Sequence, residues 1–156
     1  MYIVFQMIDP AILHYCKYQE RCHSEVRNKL YELGFGKTDV EYQISELISV
    51  GVLSEERFAR AFARGKWRML KWGRVKIAQQ LKAKKVSDYC IKKGLSEIDG
   101  EEYEAILLKL AEKKAVELKK ERSNWAKMAK MQRFLLQKGY EQDLVKYALE
   151  IALKQS

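Results

Sequence analysis

The segment Val26-Arg-Asn-Lys-Leu-Tyr-Glu-Leu-Gly-Phe35 decides the fold, because its pattern occurs three times in the chain. Two apolar residues stand four positions apart, a turn follows, and a further apolar residue comes directly after the turn. The matched apolar positions are Val26, Leu30, Phe35 and Val40 in the first copy, Ile77, Leu81, Val86 and Ile91 in the second, and Met131, Leu135, Tyr140 and Val145 in the third. Apolar residues at this spacing keep one stripe of a helix against a neighbour. The chain is therefore predicted to contain three copies of one helical unit.

Helix boundary signals divide each copy into three helices. Asp9 followed by Pro10 is typical of an N-cap and a first helical residue. The other predicted helices begin near Ser24, Thr38, Ser54, Gly73, Ser87, Glu101, Ser123 and Glu141, and glycines that suit helix C-termini are Gly34, Gly51, Gly94 and Gly139. Eight glycines and one proline in 156 residues are too few for a turn-dense β-sandwich or barrel.

These signals predict an all-α protein, a tandem array of three three-helix repeats that forms an elongated, curved body. The predicted domains are an N-terminal lead at 1–10 and repeats at 11–52, 53–99 and 100–156. The lead opens with the apolar run Met1–Ile8, which is far shorter than the ~20 residues of a membrane-spanning helix. We expect this run either to fray or to dock as a strip on the core.

The cysteines indicate the compartment. Cys16, Cys22 and Cys90 are an odd number in a chain with no evident secretory leader, so a disulfide framework is not expected. A reducing, cytoplasmic location is predicted. Binding to a membrane surface through a basic amphipathic helix is an alternative that loss of binding to anionic vesicles would exclude, and no membrane partner is expected.

Between residues 57 and 87 the chain carries eleven Lys and Arg and no Asp or Glu, against a net charge of +9 for the whole. One basic block in an otherwise nearly neutral chain predicts a surface for nucleic acid or for a protein that carries it. Such contacts bind phosphates without reading sequence. The candidate binding residues are Arg57, Arg60, Arg64, Lys66, Trp67, Arg68, Lys71, Arg74, Lys76, Lys82, Lys84 and Lys85.

Aromatic residues are interleaved with these cations. Trp67 and Trp72 resemble the stacking residues of single-strand binding surfaces, although burial would explain Trp67 equally well and is the stronger explanation for Trp72. On the other side of the same helix, Phe58, Phe62 and Met69 recur at helical spacing and are predicted to be core.

No catalytic, metal or cofactor site is predicted. The run Gly34-Phe-Gly-Lys-Thr38 lacks the earlier glycine and the preceding strand of a phosphate-binding loop, so it indicates a turn that ends a helix. His14, Cys16, Cys22 and His23 match no standard zinc spacing. No nucleophile and base stand in a recognisable pattern, so an enzyme is not expected.

Three segments carry a family resemblance: Glu20-Arg-Cys-His-Ser-Glu-Val-Arg-Asn-Lys-Leu30, Gly51-Val-Leu-Ser-Glu-Glu-Arg-Phe-Ala-Arg-Ala-Phe-Ala-Arg64 and Trp72-Gly-Arg-Val-Lys-Ile-Ala-Gln-Gln-Leu81. They resemble RecX, the bacterial regulator of the RecA recombinase. The resemblance covers about residues 11–91 well and the last third loosely, and Arg74 replaces the family's usual proline.

The resemblance implies three tandem three-helix units, binding in the groove of the RecA filament, and down-regulation of the recombinase. On this hypothesis the partners are the RecA filament and single- and double-stranded DNA, the protein is a monomer, and the basic surface meets DNA or acidic filament surface. The alternative from the residues alone is an autonomous, sequence-nonspecific nucleic-acid-binding module with no recombinase partner.

Overall fold

The computed structural model describes residues 8–154, and every regular element in that range is an α-helix. The helices are α1 (Pro10–Tyr18), α2 (His23–Glu32), α3 (Lys37–Ser49), α4 (Glu55–Leu70), α5 (Arg74–Ala83), α6 (Asp88–Leu95), α7 (Gly100–Glu117), α8 (Asn124–Lys138) and α9 (Gln142–Lys154). The predicted all-α fold is confirmed. None of these helices is long and apolar enough to span a bilayer.

Helix α1 begins as its sequence predicts. The Asp9 carboxylate accepts hydrogen bonds from the backbone N–H groups of Ala11 and Ile12, at 2.9 and 3.2 Å, and Pro10 occupies the first turn. Just before this cap, Ile8 is buried in the core of the first repeat. The rest of the predicted apolar lead lies outside the described residues.

Helix α2 begins earlier than predicted, because Ser24 is not its cap. The N-cap is Cys22, whose backbone N–H donates to the Glu25 carboxylate at 3.1 Å. The Ser24 hydroxyl instead donates to the Lys84 carbonyl at 2.7 Å. The position of Ser24 near a helix start predicts a local capping role, but its hydrogen-bond partner lies 60 residues away in the chain.

The three middle helices, α2, α5 and α8, end in the same way. In each, the backbone N–H just after the turn donates to a carbonyl five residues earlier, and the residue between them in the turn has a positive φ. The donor–acceptor pairs are Phe35–Leu30 at 3.2 Å, Val86–Leu81 at 3.1 Å and Tyr140–Leu135 at 3.3 Å, and the turn residues are Gly34, Lys85 and Gly139. These are C-terminal caps of the Schellman type. The threefold internal repeat is thus present in the backbone.

The aligned apolar residues form the core of each copy. Eleven of the twelve matched positions are buried, and Phe35 is half-buried against the same core. The prediction that one stripe of each middle helix faces inward is confirmed. The repeat boundaries at 52/53 and 99/100 stay a prediction.

Contacts divide the chain into two compact units. The first contains the described residues up to Phe62 together with Gln80–Gly94, and here α1 packs on α2 and α2 on α3. The second contains Ala63–Gln79 together with the described residues from Leu95 onward, and here α9 packs on both α7 and α8.

Two predictions about α4 and α6 are wrong. Met69 is 83% exposed, although Phe58 on the same predicted side is buried as expected and Phe62 is half-buried. The buried seam of α4 also runs through Ala59, Ala63 and Trp67, spaced four residues apart. Small alanines mark that seam because they let backbones approach closely. Gly94 does not end a helix in a left-handed conformation; it lies within α6, where a Cβ would come within 2.7 Å of the Ala59 carbonyl oxygen.

Candidate nucleic-acid interface

The basic block contains no acidic residue in the sequence, but acidic residues from other parts of the chain lie against it in the structure. At least six of its eleven cations form ion pairs with carboxylates from outside the block. The pairs are Arg57–Glu20 at 3.0 Å, Arg60–Glu56 at 3.2 Å, Arg64–Glu97 at 2.7 Å, Arg74–Glu141 at 2.8 Å, Lys82–Asp88 at 3.6 Å and Lys84–Glu25 at 3.4 Å. Such partly exposed pairs stabilise the fold by only about 0–1 kcal/mol each. Their main consequence is that most arginines of the block already have an anionic partner.

Two lysines of the block lie against one tryptophan. The Lys66 and Lys76 ammonium nitrogens lie 5.0 and 4.4 Å from the centre of the half-buried Trp72 ring. Lys71, in the turn after α4, has a positive φ of 57°. Lys138, at the end of α8, donates to the Leu70 carbonyl at 2.9 Å. We call Lys66, Lys71, Trp72, Lys76 and Lys138 the Trp72 cluster.

Lys138 is the member of this cluster that the sequence did not reveal. It stands 62 positions beyond Lys76, and counting charges along the chain groups only residues that are close in sequence. The one available signal was its position before Gly139, which the repeat aligns with the turn after α5. Arg68, also predicted, is exposed and has no carboxylate partner among residues 8–154.

Trp67 is not available to stack on a base. It is only 3% exposed, and its ring centre lies 5.3 Å from that of Tyr103, which in turn lies 5.1 Å from that of Tyr140. Of the two explanations open for this residue, burial is therefore correct. The ring forms the floor beneath the Trp72 cluster, since the Lys71 ammonium lies 5.5 Å from its centre.

A partly buried polar network fixes the start of α5. The Tyr103 hydroxyl accepts a hydrogen bond from the Arg74 backbone N–H at 3.0 Å and donates a short one to the Glu141 carboxylate. The Arg74 guanidinium donates to the same carboxylate at 2.8 Å. Burial, and then the hydrogen bond to Glu141, raise the pKa of Tyr103 well above its usual range. A proline at position 74 would lack the N–H that Tyr103 binds.

The predicted lysines at the end of the block, Lys82, Lys84 and Lys85, belong to the first unit. Lys85 is exposed and shows no carboxylate partner within residues 8–154, whereas Lys82 and Lys84 are ion-paired as described. The structure therefore brings Lys66, Lys71 and Lys76 together and joins Lys138 to them. It does not assemble the whole block into one unpaired cationic surface.

The histidines and cysteines near the N-terminus do not converge. His23 Nδ1 lies 3.3 Å from the Glu55 carboxylate, and Cys16 and Cys22 are buried free thiols. Burial raises the pKa of Cys16 to about 11. Among residues 8–154, no three His, Cys, Asp or Glu side chains form a group that could hold a metal ion.

Comparison with known proteins agrees with this architecture. Residues 54–95 match the family model of the second three-helix domain of RecX, and residues 101–149 match that of the third. The crystal structure of RecX from Lactobacillus salivarius is similar with a TM-score of 0.82 at 25% identity, covering 91% of this chain and 92% of that one.

Sequence relatives point the same way. A regulatory protein RecX of Clostridium perfringens (strain 13 / Type A) is 37% identical over 79% of this chain, which spans 58% of that relative's length. A regulatory protein RecX of Pelodictyon phaeoclathratiforme is 31% identical over 84% of this chain and 81% of its own length. With two family domains matched and this relative covered over most of its length, the chain belongs to the RecX family.

Proposed function

We propose that this protein is a non-enzymatic regulator of homologous recombination and DNA repair, which binds in the groove of a RecA–DNA filament and inhibits ATP hydrolysis and strand exchange by the recombinase. The observation that carries the proposal is the Trp72 cluster, in which two of four neighbouring lysines lie against one ring, in a chain of the RecX family. Its relatives carry the name of regulatory proteins.

The chemistry of the cluster suits a phosphate backbone. Lysine ammonium groups bind phosphates as point charges, and the flat face of a half-buried tryptophan holds two of them in place by cation–π attraction. Ammonium groups in this arrangement recognise charge rather than base sequence. A regulator that acts on filaments wherever they form on DNA needs this kind of contact.

The ion pairs narrow the expected number of phosphate contacts. Arginines that already face carboxylates neutralise fewer phosphates, so the nucleic acid releases fewer counterions. About four phosphate contacts are expected from the cluster. The expected slope of log affinity against log salt concentration is therefore about −3 to −3.5. Protein seated in the groove in this way obstructs entry of a homologous duplex and the conformational cycle of the recombinase.

The test is a titration of recombinase ATPase activity and strand exchange across a salt series. The variant carries Lys66→Ala, Lys71→Ala and Lys76→Ala, and the matched control carries Lys17→Ala, Lys37→Ala and Lys92→Ala, which are exposed and remove the same charge. The cluster variant is expected to lose inhibition and to reduce the salt slope by about 2–3. Equal losses in both variants would show that net charge, and not the cluster, drives binding.

The second candidate is an autonomous nucleic-acid-binding module, which the pairing of lysines with Trp72 also favours. Anisotropy of a labelled single strand, measured with and without recombinase, separates the two. Strand binding together with unchanged recombinase ATPase at saturating protein would leave only the module.

A further inference from the structure

A second aromatic residue stands among cations, at the turn between α7 and α8. Trp125, in the first turn of α8, is 80% exposed. This separates it from the buried Trp67 and the half-buried Trp72. A tryptophan displayed to this degree contributes little to folding, and such rings are typical of binding surfaces.

The sequence on both sides of Trp125 is rich in positive charge. Residues 118–140 contain seven Lys and Arg and a single acid, Glu121. That acid is occupied, because its carboxylate lies 2.6 Å from the Lys130 ammonium. Three cations just before the tryptophan are exposed: Lys119, Lys120 and Arg122.

The turn that carries these side chains is well ordered by its own hydrogen bonds. The backbone N–H of Lys119 donates to the Val116 carbonyl at 3.1 Å, and that of Glu121 to the Leu118 carbonyl at 3.0 Å. The Ser123 hydroxyl caps α8 by accepting from the Ala126 N–H at 3.2 Å. Trp125 therefore projects from a fixed backbone, which lowers the entropy lost when a ligand stacks on its ring.

We propose that this turn is a binding site for single-stranded nucleic acid, in which a base stacks on Trp125 while Lys119, Lys120 and Arg122 contact neighbouring phosphates. An exposed ring among cations matches the flat faces and regular charges of an unpaired strand, whereas the bases of a duplex are already stacked on one another. The site shares no residue with the Trp72 cluster and does not require the recombinase, so it goes beyond the proposed function.

Binding of the full-length protein to labelled oligo(dT) of about 15 nucleotides, followed by anisotropy without recombinase, tests the site. Trp125→Ala is expected to weaken binding by about 5- to 100-fold. Trp125→Phe, which keeps a ring, is expected to recover most of the affinity. Tyr147→Ala, which removes another exposed ring, 62% exposed, from α9, is expected to leave binding unchanged.

An abasic strand of the same length separates stacking from charge. Because it offers phosphates without bases, wild type and Trp125→Ala are expected to bind it equally. The proposal is overturned if Trp125→Ala binds oligo(dT) as wild type does, or if it loses affinity for both strands alike.

A direct readout is the NMR signal of the Trp125 indole N–H, assigned by its absence in Trp125→Phe. Oligo(dT) is expected to shift it in wild type and also in the Lys66, Lys71 and Lys76 triple variant. That result would show that this site is independent of the Trp72 cluster. If the cluster does not bind the filament, the shift of the Trp125 signal is still expected. An indole signal that does not move at saturating oligo(dT) rules out stacking.

Discussion

Gly73 lies directly against Gly139. The Gly73 N–H donates to the Lys138 carbonyl at 2.8 Å, and the Val75 N–H donates to the Gly139 carbonyl at 2.9 Å. A Cβ on Gly73 would lie 2.3 Å from the carbonyl carbon and oxygen of Gly139. The start of α5 and the end of α8 are thus joined backbone to backbone, and this contact is what brings Lys138 into the Trp72 cluster.

Gly73→Ala is expected to destabilise the protein by about 2–3 kcal/mol, because backbone atoms cannot move aside as the tip of a flexible side chain can. Urea unfolding measures the change. Gly65→Ala is the matched control: it lies within α4 with nothing within 4 Å of its added Cβ, so a gain of up to about 1 kcal/mol is expected. Similar effects from both substitutions would show that helix propensity, not the contact with Gly139, dominates at position 73.

Tyr103→Phe is expected to cost about 1–3 kcal/mol, since it leaves the Arg74 N–H and the Glu141 carboxylate without the hydroxyl they share. Tyr140→Phe removes one hydrogen bond, to the Lys71 carbonyl, and is expected to cost about 0.5–1.5 kcal/mol. Chemical denaturation of both variants checks the order. A larger loss from Tyr140→Phe would contradict the network described for Tyr103.

Trp67→Ala is expected to cost about 3–5 kcal/mol, because it leaves a cavity beside Tyr103. Met69→Ala, two residues away on the same helix, is expected to change stability by less than about 0.5 kcal/mol because its side chain is exposed. Thermal and urea unfolding give both values. The reverse order would place the buried seam of α4 on its other side.

The Cys16 thiol makes stability depend on alkaline pH. Burial raises its pKa from the ordinary value near 9 to about 11, so the unfolded chain releases this proton first. The stabilisation is complete below pH 9 and is lost as the pH rises from about 9 to about 11. The free energy of unfolding of wild type is therefore expected to fall more steeply across this range than that of Cys16→Ala.

If Cys16→Ala and wild type run parallel up to pH 11, the thiol ionises equally readily in both states.

The fold could be predicted because its determinants are local and repeated. Apolar residues four apart, followed by a turn and another apolar residue, specify the middle helix of each copy wherever they occur. The pattern held even where Lys85 replaces glycine, because the buried residues around it, Leu81 and Val86, keep their spacing.

The candidate site could be predicted only in part, because its charges are set by residues distant in the chain. Glu20, Glu97 and Glu141 each reach an arginine at least 33 positions away, and no charge count along the block includes them. The burial of Ala59 and Ala63 in α4 could not be predicted for a related reason, because an alanine gives little sign in the sequence of whether another element packs on it.

Lys85, with a φ of 64°, holds a backbone shape that glycine adopts at the matching point of the other two copies, and Lys71 does so at the end of α4. A residue other than glycine is destabilised in this left-handed conformation by roughly 1–2 kcal/mol. Replacing either lysine by glycine is expected to raise the thermal stability of the protein, but each replacement would also remove a positive charge. A gain in thermal stability at these two positions is therefore expected to lower the affinity of this protein for polyanions.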